Sequence, residues 1–184
     1  TPSIVDARNN RPIDQQCARD LKPGWQKERQ HNFHDWAFEL MPGTNEDMVC
    51  DFWTEISRNM VAKVADMGGD VPIEQLVQMR EEEDYRVMER RRRRVDTIVR
   101  DKAAAEALKP YYRYLCKRPC SNDDYLETFN RPNVTLVDVS GNKGVERITE
   151  TGIVAGGVEY EVDCIILASG FEITSDLDRR FGNA

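Results

Sequence analysis

The sequence predicts an α/β protein in which a helical lobe is followed by the closing strands of a sheet. Three observations carry this. Apolar residues recur at helical spacing between Gly24 and Leu108. After Pro110 the period changes to alternation. The run Asp163-Cys-Ile-Ile-Leu-Ala-Ser-Gly170 is apolar on both faces, which suits the middle of a covered parallel sheet.

Taken in order, residues 1–20 are polar and irregular, with Pro2 and Pro12. The stretch GWQKERQHNFHDWAFEL, Gly24 to Leu40, spaces Trp25, Phe33, Trp36 and Phe38 on an amphipathic helix that Pro42 and Gly43 break. Thr44-Asn-Glu-Asp47 reads as the start of a second helix. Val49, Phe52, Trp53, Ile56, Met60 and Val64 carry it to Gly68-Gly69. A third, long helix is expected from Ile73 to Leu108, with Leu76, Val77, Val87, Met88, Val95, Ile98 and Val99 as its inner stripe. Asp123 to Asn130 reads as one or two helical turns. Asn133–Asp138, Val145–Thr149, Gly152–Ala155, Val158–Val162 and Asp163–Gly170 read as strands, with turns at Ser140–Gly144 and Gly156-Gly157.

With 32% charged residues, 40% hydrophobic residues and a net charge of -7 over 184 residues, the chain has the profile of an acidic globular protein. That balance gives no global attraction to nucleic acid or anionic lipid. Cys164 to Ala168 is far too short to span a bilayer, and no secretory leader is visible. Five cysteines, an odd number spread along the chain, do not make a disulfide framework, so a cytoplasmic setting is expected. A first residue of Thr rather than Met suggests a piece of something longer.

Several motifs have ordinary structural readings. EEEDYRVMERRRRRV, Glu81 to Val95, could be a nucleic-acid patch. However, Glu82/Arg86 and Glu89/Arg93 are spaced four apart with the acid first, so a solvated helix face is the expectation. His31 and His34 beside Asp35 and Glu39 lack a cysteine pair with ligand spacing, and no metal is expected. Cys116-x-x-x-Cys120 reads as two buried small thiols. Asn133-Val-Thr135 matches a sequon but falls in a predicted strand. Gly152-Ile-Val-Ala-Gly-Gly157 is not GxGxxG and sits in a hairpin, so no dinucleotide fingerprint is present. In CKRPCSNDDYLETFNRP, Cys116 to Pro132, two adjacent cations are followed by Pro119. Like charges side by side gain nothing from each other: either both are solvated or each has its own anion.

In order, KPYYRYLCKRPCSNDDYLETFNRPNVTLVDV (Lys109 to Val139), GVERITETGIV and EYEVDCIILASGF (Glu159 to Phe171) resemble the later part of a Baeyer–Villiger monooxygenase. Thr1-Pro-Ser3, Arg8 to Pro12 and Lys22 to Arg29 extend the resemblance over nearly the whole chain. One departure is Ser169 where threonine is usual, which keeps the hydroxyl. The resemblance implies a fragment of a flavoprotein with two dinucleotide-binding domains. Residues 1–110 would be a helical lobe inserted in the NADP domain. Residues 111–161 would be the second segment of that domain, and residues 162–184 the start of the returning FAD-domain segment. The glycine fingerprints and the signature FxGxxxHxxxWP would lie ahead of Thr1.

The resemblance also assigns the cations. Lys117 matches the lysine facing the 2′-phosphate of NADPH, a compact anion suited to an ammonium. Arg118 matches the active-site arginine beside the FAD, and is expected to be both catalytic and cofactor-binding. A permanently charged guanidinium there can stabilise the anions that form as O2 is inserted next to a ketone carbonyl. Ala168, Ser169 and Gly170 are expected to let the backbone pass close to a cofactor, and Thr1 matches a position near the 2′-phosphate. The implied partners are a small-molecule ketone and O2, with neither nucleic acid nor a membrane. Competing readings are a flavin monooxygenase acting on nitrogen or sulfur, which Lys-Arg-Pro argues against, and a non-catalytic helix-rich interaction module.

Overall fold

The computed structural model describes residues 5–7, 12, 14–43, 46–142, 144–170 and 182. The chain forms two compact units, Thr1–Leu136 and Val137–Ala184.

The first unit is helical. Residues 1–20 are not wholly irregular, because Asp14 accepts the Gln16 N–H at 2.8 Å and caps a short helix, α1 (Gln15–Arg19). Helix α2 (Trp25–Phe38) starts at Gly24, whose φ of 92° an L side chain rarely adopts. It buries Asn32, Trp36 and Ala37, while Phe38 is exposed. The Asn32 amide donates to the Glu46 carbonyl at 2.7 Å and accepts from the Met48 N–H at 2.9 Å, tying α2 to the loop that follows.

Helix α3 (Glu55–Asp66) begins eight residues later than Asp47, where the sequence places the start. Asp47 organises a loop instead. Its carboxylate accepts the N–H groups of Val49 and Cys50, each at 2.9 Å, the Thr54 hydroxyl and the Arg58 guanidinium at 2.8 Å. Asp side chains compete with the helix for nearby backbone donors, and here the loop prevails. Trp53 from this loop meets Phe33 of α2 edge-on, ring centroids 5.8 Å apart.

The expected helix from Ile73 to Leu108 is two helices, α4 (Ile73–Ile98) and α5 (Lys102–Leu108). Val99 is extended, and Asp101 caps α5 by accepting the Ala104 N–H at 2.7 Å. Asn130 bridges the break: its amide donates to the Ile98 carbonyl at 2.8 Å and accepts the Arg100 N–H at 2.9 Å. Asn130 follows the single-turn helix α6 (Tyr125–Thr128).

Helices α3 and α4 form the main core. Ile56, Met60 and Val64 pack with Met79, Val87, Met88, Tyr114 and Val5. Full burial of one such apolar side chain contributes about 1.5–3 kcal/mol. A smaller cluster of Val95, Val99, Ala105, Leu108 and Leu126 lies beyond the helix break. Glu83 is fully buried in α4, where Asn59 donates to it at 3.0 Å and Lys63 and Arg86 neutralise it.

The second unit holds an antiparallel sheet of three strands in the order β1 (Arg147–Ile148), β2 (Gly152–Ala155) and β3 (Val158–Glu161). In β2, a Cβ on Gly152 would lie 2.0 Å from the Tyr160 carbonyl oxygen, so only glycine fits. Gly156 and Gly157, at φ 60° and 76°, give the two-residue turn whose twist suits a hairpin. Two strand expectations fail. Residues 133–138 and 163–170 join no sheet among the described residues. Ile166 and Leu167 are 87% and 80% exposed rather than covered. A strand buried on both faces needs neighbours on each edge and helices above and below. This unit offers three short strands and a single 3-10 turn, Ser140–Asn142, among its described residues.

Candidate functional site

Lys117 and Arg118 lie on a loop fastened at both ends. On the near side Tyr114 is buried in the α3–α4 core; its hydroxyl donates to the Phe52 carbonyl at 2.8 Å and its N–H to Asp84 at 2.7 Å. Burial pushes the Tyr114 phenol up, so it stays a donor. Burial also raises Asp84, with the Tyr114 N–H and nearby arginines pulling it partly back. Leu115 follows at φ 62°, left-handed for a residue with a Cβ, and the Cys116 N–H donates to the Arg113 carbonyl at 3.1 Å to close the turn.

On the far side Ser121 forms a parallel bridge with Val5, and the Asn122 N–H donates to the Val5 carbonyl at 3.0 Å. The Ala7 N–H donates to Asp123 at 3.0 Å. The Asn122 side chain then accepts the N–H groups of Asp124 and Tyr125, each at 2.8 Å, and starts α6. No sequence pattern pointed to Val5; its backbone partners here, Ser121 and Asn122, are more than a hundred residues away along the chain.

Both cations are exposed. The Lys117 ammonium sits over the Tyr112 ring, 5.0 Å from its centroid. Among the described residues neither cation forms an ion pair. The run Arg90 to Arg94 is the opposite case. Arg90 and Arg91 meet Glu55, Arg92 and Arg93 meet Glu89, and Arg94 meets Asp6. It is not simply a solvated face, since the Arg91, Arg92 and Arg94 side chains are 11%, 11% and 17% exposed and three of these pairs cross between elements. The expected Glu82/Arg86 pair is replaced by Glu83/Arg86 at 2.9 Å, while Glu82 accepts from Gln78. Beside this helix a groove of about 580 Å³ is lined by Tyr85, Arg92, Lys109, Tyr111 and Tyr112 among others. Its Arg92 is stacked against Tyr85 and Tyr111 and bonded to Glu89 and the Pro110 carbonyl, and its Lys109 pairs with Asp96 and Glu106. Lys117 and Arg118 are thus adjacent exposed charges without a carboxylate partner among the described residues, as are single cations elsewhere such as Lys27, Lys102 and Arg131.

The other sequence candidates divide. Ala168, Ser169 and Gly170 are exposed and belong to the second unit. Gly170 has φ 95° and open space where a Cβ would be, which leaves its backbone approachable. Thr1 lies outside the described residues. The cysteines are not the buried thiols expected: Cys116 is exposed and Cys120 half-buried, and none of the five is in a disulfide. The turn at Leu115 directs that leucine at the core and leaves its neighbour outside. His34 stands 3.7 Å from Glu39, and among the described residues no group of His, Cys, Asp and Glu could hold a metal. Among them, too, no helix is long and apolar enough to cross a membrane.

No family model matches the chain. It is 52% identical over 174 residues to neopentalenolactone D synthase of Streptomyces avermitilis, covering 94% of this chain and 28% of that protein. It is 47% identical over 184 residues to Baeyer-Villiger monooxygenase ATR8 of Stachybotrys chlorohalonatus, covering 98% of this chain and 28% of that protein. Among solved structures it resembles the polycyclic ketone monooxygenase from the thermophilic fungus Thermothelomyces thermophila, with a TM-score of 0.63 and 35% identity. That match covers 89% of this chain and 27% of that one. The chain thus spans a little over a quarter of the relatives it matches, and it belongs to the Baeyer–Villiger monooxygenase family.

Proposed function

We propose that this chain supplies the Lys117–Arg118 loop to an FAD- and NADPH-dependent monooxygenase that inserts one oxygen atom of O2 beside a ketone carbonyl, giving an ester or lactone. The supporting observation is the loop itself: two exposed, uncommitted cations on a segment anchored at Tyr114 and at Val5, in a protein that pairs neighbouring arginines with carboxylates. Such groups fit anionic partners. They do not amount to a nucleotide cradle, because no GxGxxG occurs in the sequence.

When bound, the flavin activates O2 and NADPH supplies the hydride. The Lys117 ammonium then meets the 2′-phosphate as a compact charge. Arg118 would stabilise negative charge as it develops on oxygen, remaining protonated where a lysine could lose its proton. Ala168-Ser-Gly170 gives the backbone room to approach a cofactor. On this reading residues 1–110 are the lobe inserted in the NADP domain, 111–161 the second segment of that domain and 162–184 the start of the returning FAD segment. The substrate is a small ketone, and the working site is cytoplasmic.

The test is Arg118→Ala in the full-length protein. Reduction of the flavin by NADPH should stay measurable while ester formation from a ketone is lost. Undiminished oxygenation would remove Arg118 from the chemistry.

A further inference from the structure

The contact between Lys117 and Tyr112 carries a consequence for cofactor choice. A lysine on a solvent-facing loop samples many rotamers, and holding its head group still before a ligand arrives costs entropy. Here that ordering is already present. The ammonium lies 5.0 Å above the centroid of the Tyr112 ring. The ring is itself half-buried and packed against the α3–α4 core. The backbone between the two residues is fixed. Tyr114 is bonded to Phe52 and Asp84, and left-handed Leu115, with the Cys116 N–H on the Arg113 carbonyl, turns the chain so that Lys117 folds back over a residue five positions earlier. Regular helix or strand spacing brings no such pair together. A π face also suits this cation better than a carboxylate would. It orients the ammonium without neutralising it, so the charge stays available to an incoming anion.

We propose that Tyr112 is a positioning residue for dinucleotide specificity: its ring holds the Lys117 ammonium where a 2′-phosphate meets it, so preference for NADP over NAD depends on an aromatic ring at position 112 as well as on the lysine. This rests on the reading of Lys117 given above. Tyr112 acts only through Lys117, and two signatures follow. Loss of the ring weakens NADP+ and leaves NAD+ unchanged, because NAD+ has no 2′-phosphate. The loss also disappears once Lys117 is gone.

The experiment measures Kd for NADP+ and NAD+ by titration calorimetry on the full-length flavoprotein with FAD bound. The proteins are wild type, Tyr112→Leu, Tyr112→Phe, Lys117→Ala and the double variant Tyr112→Leu/Lys117→Ala. Tyr112→Leu should reduce the NADP+/NAD+ affinity ratio about three- to fivefold, the scale of an exposed cation–π contact. Tyr112→Phe should restore it, since phenylalanine keeps the π face. In the Lys117→Ala background the second substitution should leave the ratio unchanged. Should Tyr112→Leu not fold, Tyr112→Met takes its place as the ringless variant. An unchanged ratio in the ringless variant, or an equal drop with and without Lys117, overturns the role of Tyr112. A ratio that Lys117→Ala itself fails to lower overturns the reading of Lys117 instead, so the two failures are distinct.

Discussion

Replacing Asp47 by alanine removes one acceptor from four donors at once: the N–H groups of Val49 and Cys50, the Thr54 hydroxyl and the Arg58 guanidinium. The Asp47 side chain is 5% exposed and that of Arg58 30%, so water replaces only part of what is lost. Hydrogen bonds between neutral groups contribute about 1 kcal/mol net and those to charged groups about 1.5–3. Two backbone bonds and the Thr54 bond, each partly replaced by water, plus one shielded charged contact then give a loss of about 3–5 kcal/mol. Asp47→Asn keeps an acceptor but not the charge, and should lose roughly half as much. Burial pushes the Asp47 carboxyl up, but the hydrogen bonds from Thr54, Cys50, Arg58 and Val49 outweigh it and leave the group below the usual carboxylate range. A folded-state pKa below the unfolded one means stability that is present above the unfolded value and lost as pH falls through the folded one. The gap between wild type and Asp47→Asn should therefore narrow from about pH 4 downward. Urea unfolding followed by tryptophan fluorescence, with Trp53 in the loop itself, and by circular dichroism gives both numbers. A difference under about 0.5 kcal/mol for Asp47→Ala at pH 7 would refute the hub, because that is the scatter of ordinary surface substitutions. A gap that does not change with pH would refute the part played by charge.

Two further outcomes are expected. Asn130→Ala should cost about 1–2 kcal/mol, one acceptor and one donor to the broken turn at Ile98–Arg100; hydrogen exchange at the Arg100 amide should quicken at the same time. Cys50 is exposed and left-handed at φ 51°, so Cys50→Gly should stabilise by up to about 1 kcal/mol and Cys50→Val destabilise by at least as much, both read from thermal melting.

The sequence made the helical lobe readable where one face of a helix decides its burial. The stripe Ile56, Met60, Val64 and the pair Val87, Met88 recur at helical spacing, and all are core. It misled where a distant residue settles a local choice. Thr44 to Asp47 has the composition of a helix cap, but Asp47 bonds forward to Thr54 and Arg58. Ile73 to Leu108 keeps its periodicity through Val99, and the break is held by Asn130, thirty residues on. The apolar run at Asp163–Gly170 carries its burial pattern in its composition, yet no ladder forms without neighbouring strands. At the candidate site, adjacency and Pro119 single out Lys117 and Arg118. The anchors at Tyr114 and Val5 and the platform at Tyr112 depend on a left-handed Leu115 and on partners far along the chain, which no local pattern records.

The arginine run on α4 behaves differently in solution from its spelling. With Glu55, Glu89 and Asp6 each within reach of these guanidinium groups, the segment works as a set of rivets rather than as a magnet. A polyanion or a cation-exchange resin would have to compete with carboxylates already in contact. The five-arginine string is therefore a poor guide to how the protein partitions on a column, and its replacement by lysines would loosen the lobe by losing paired donors while leaving the net charge untouched.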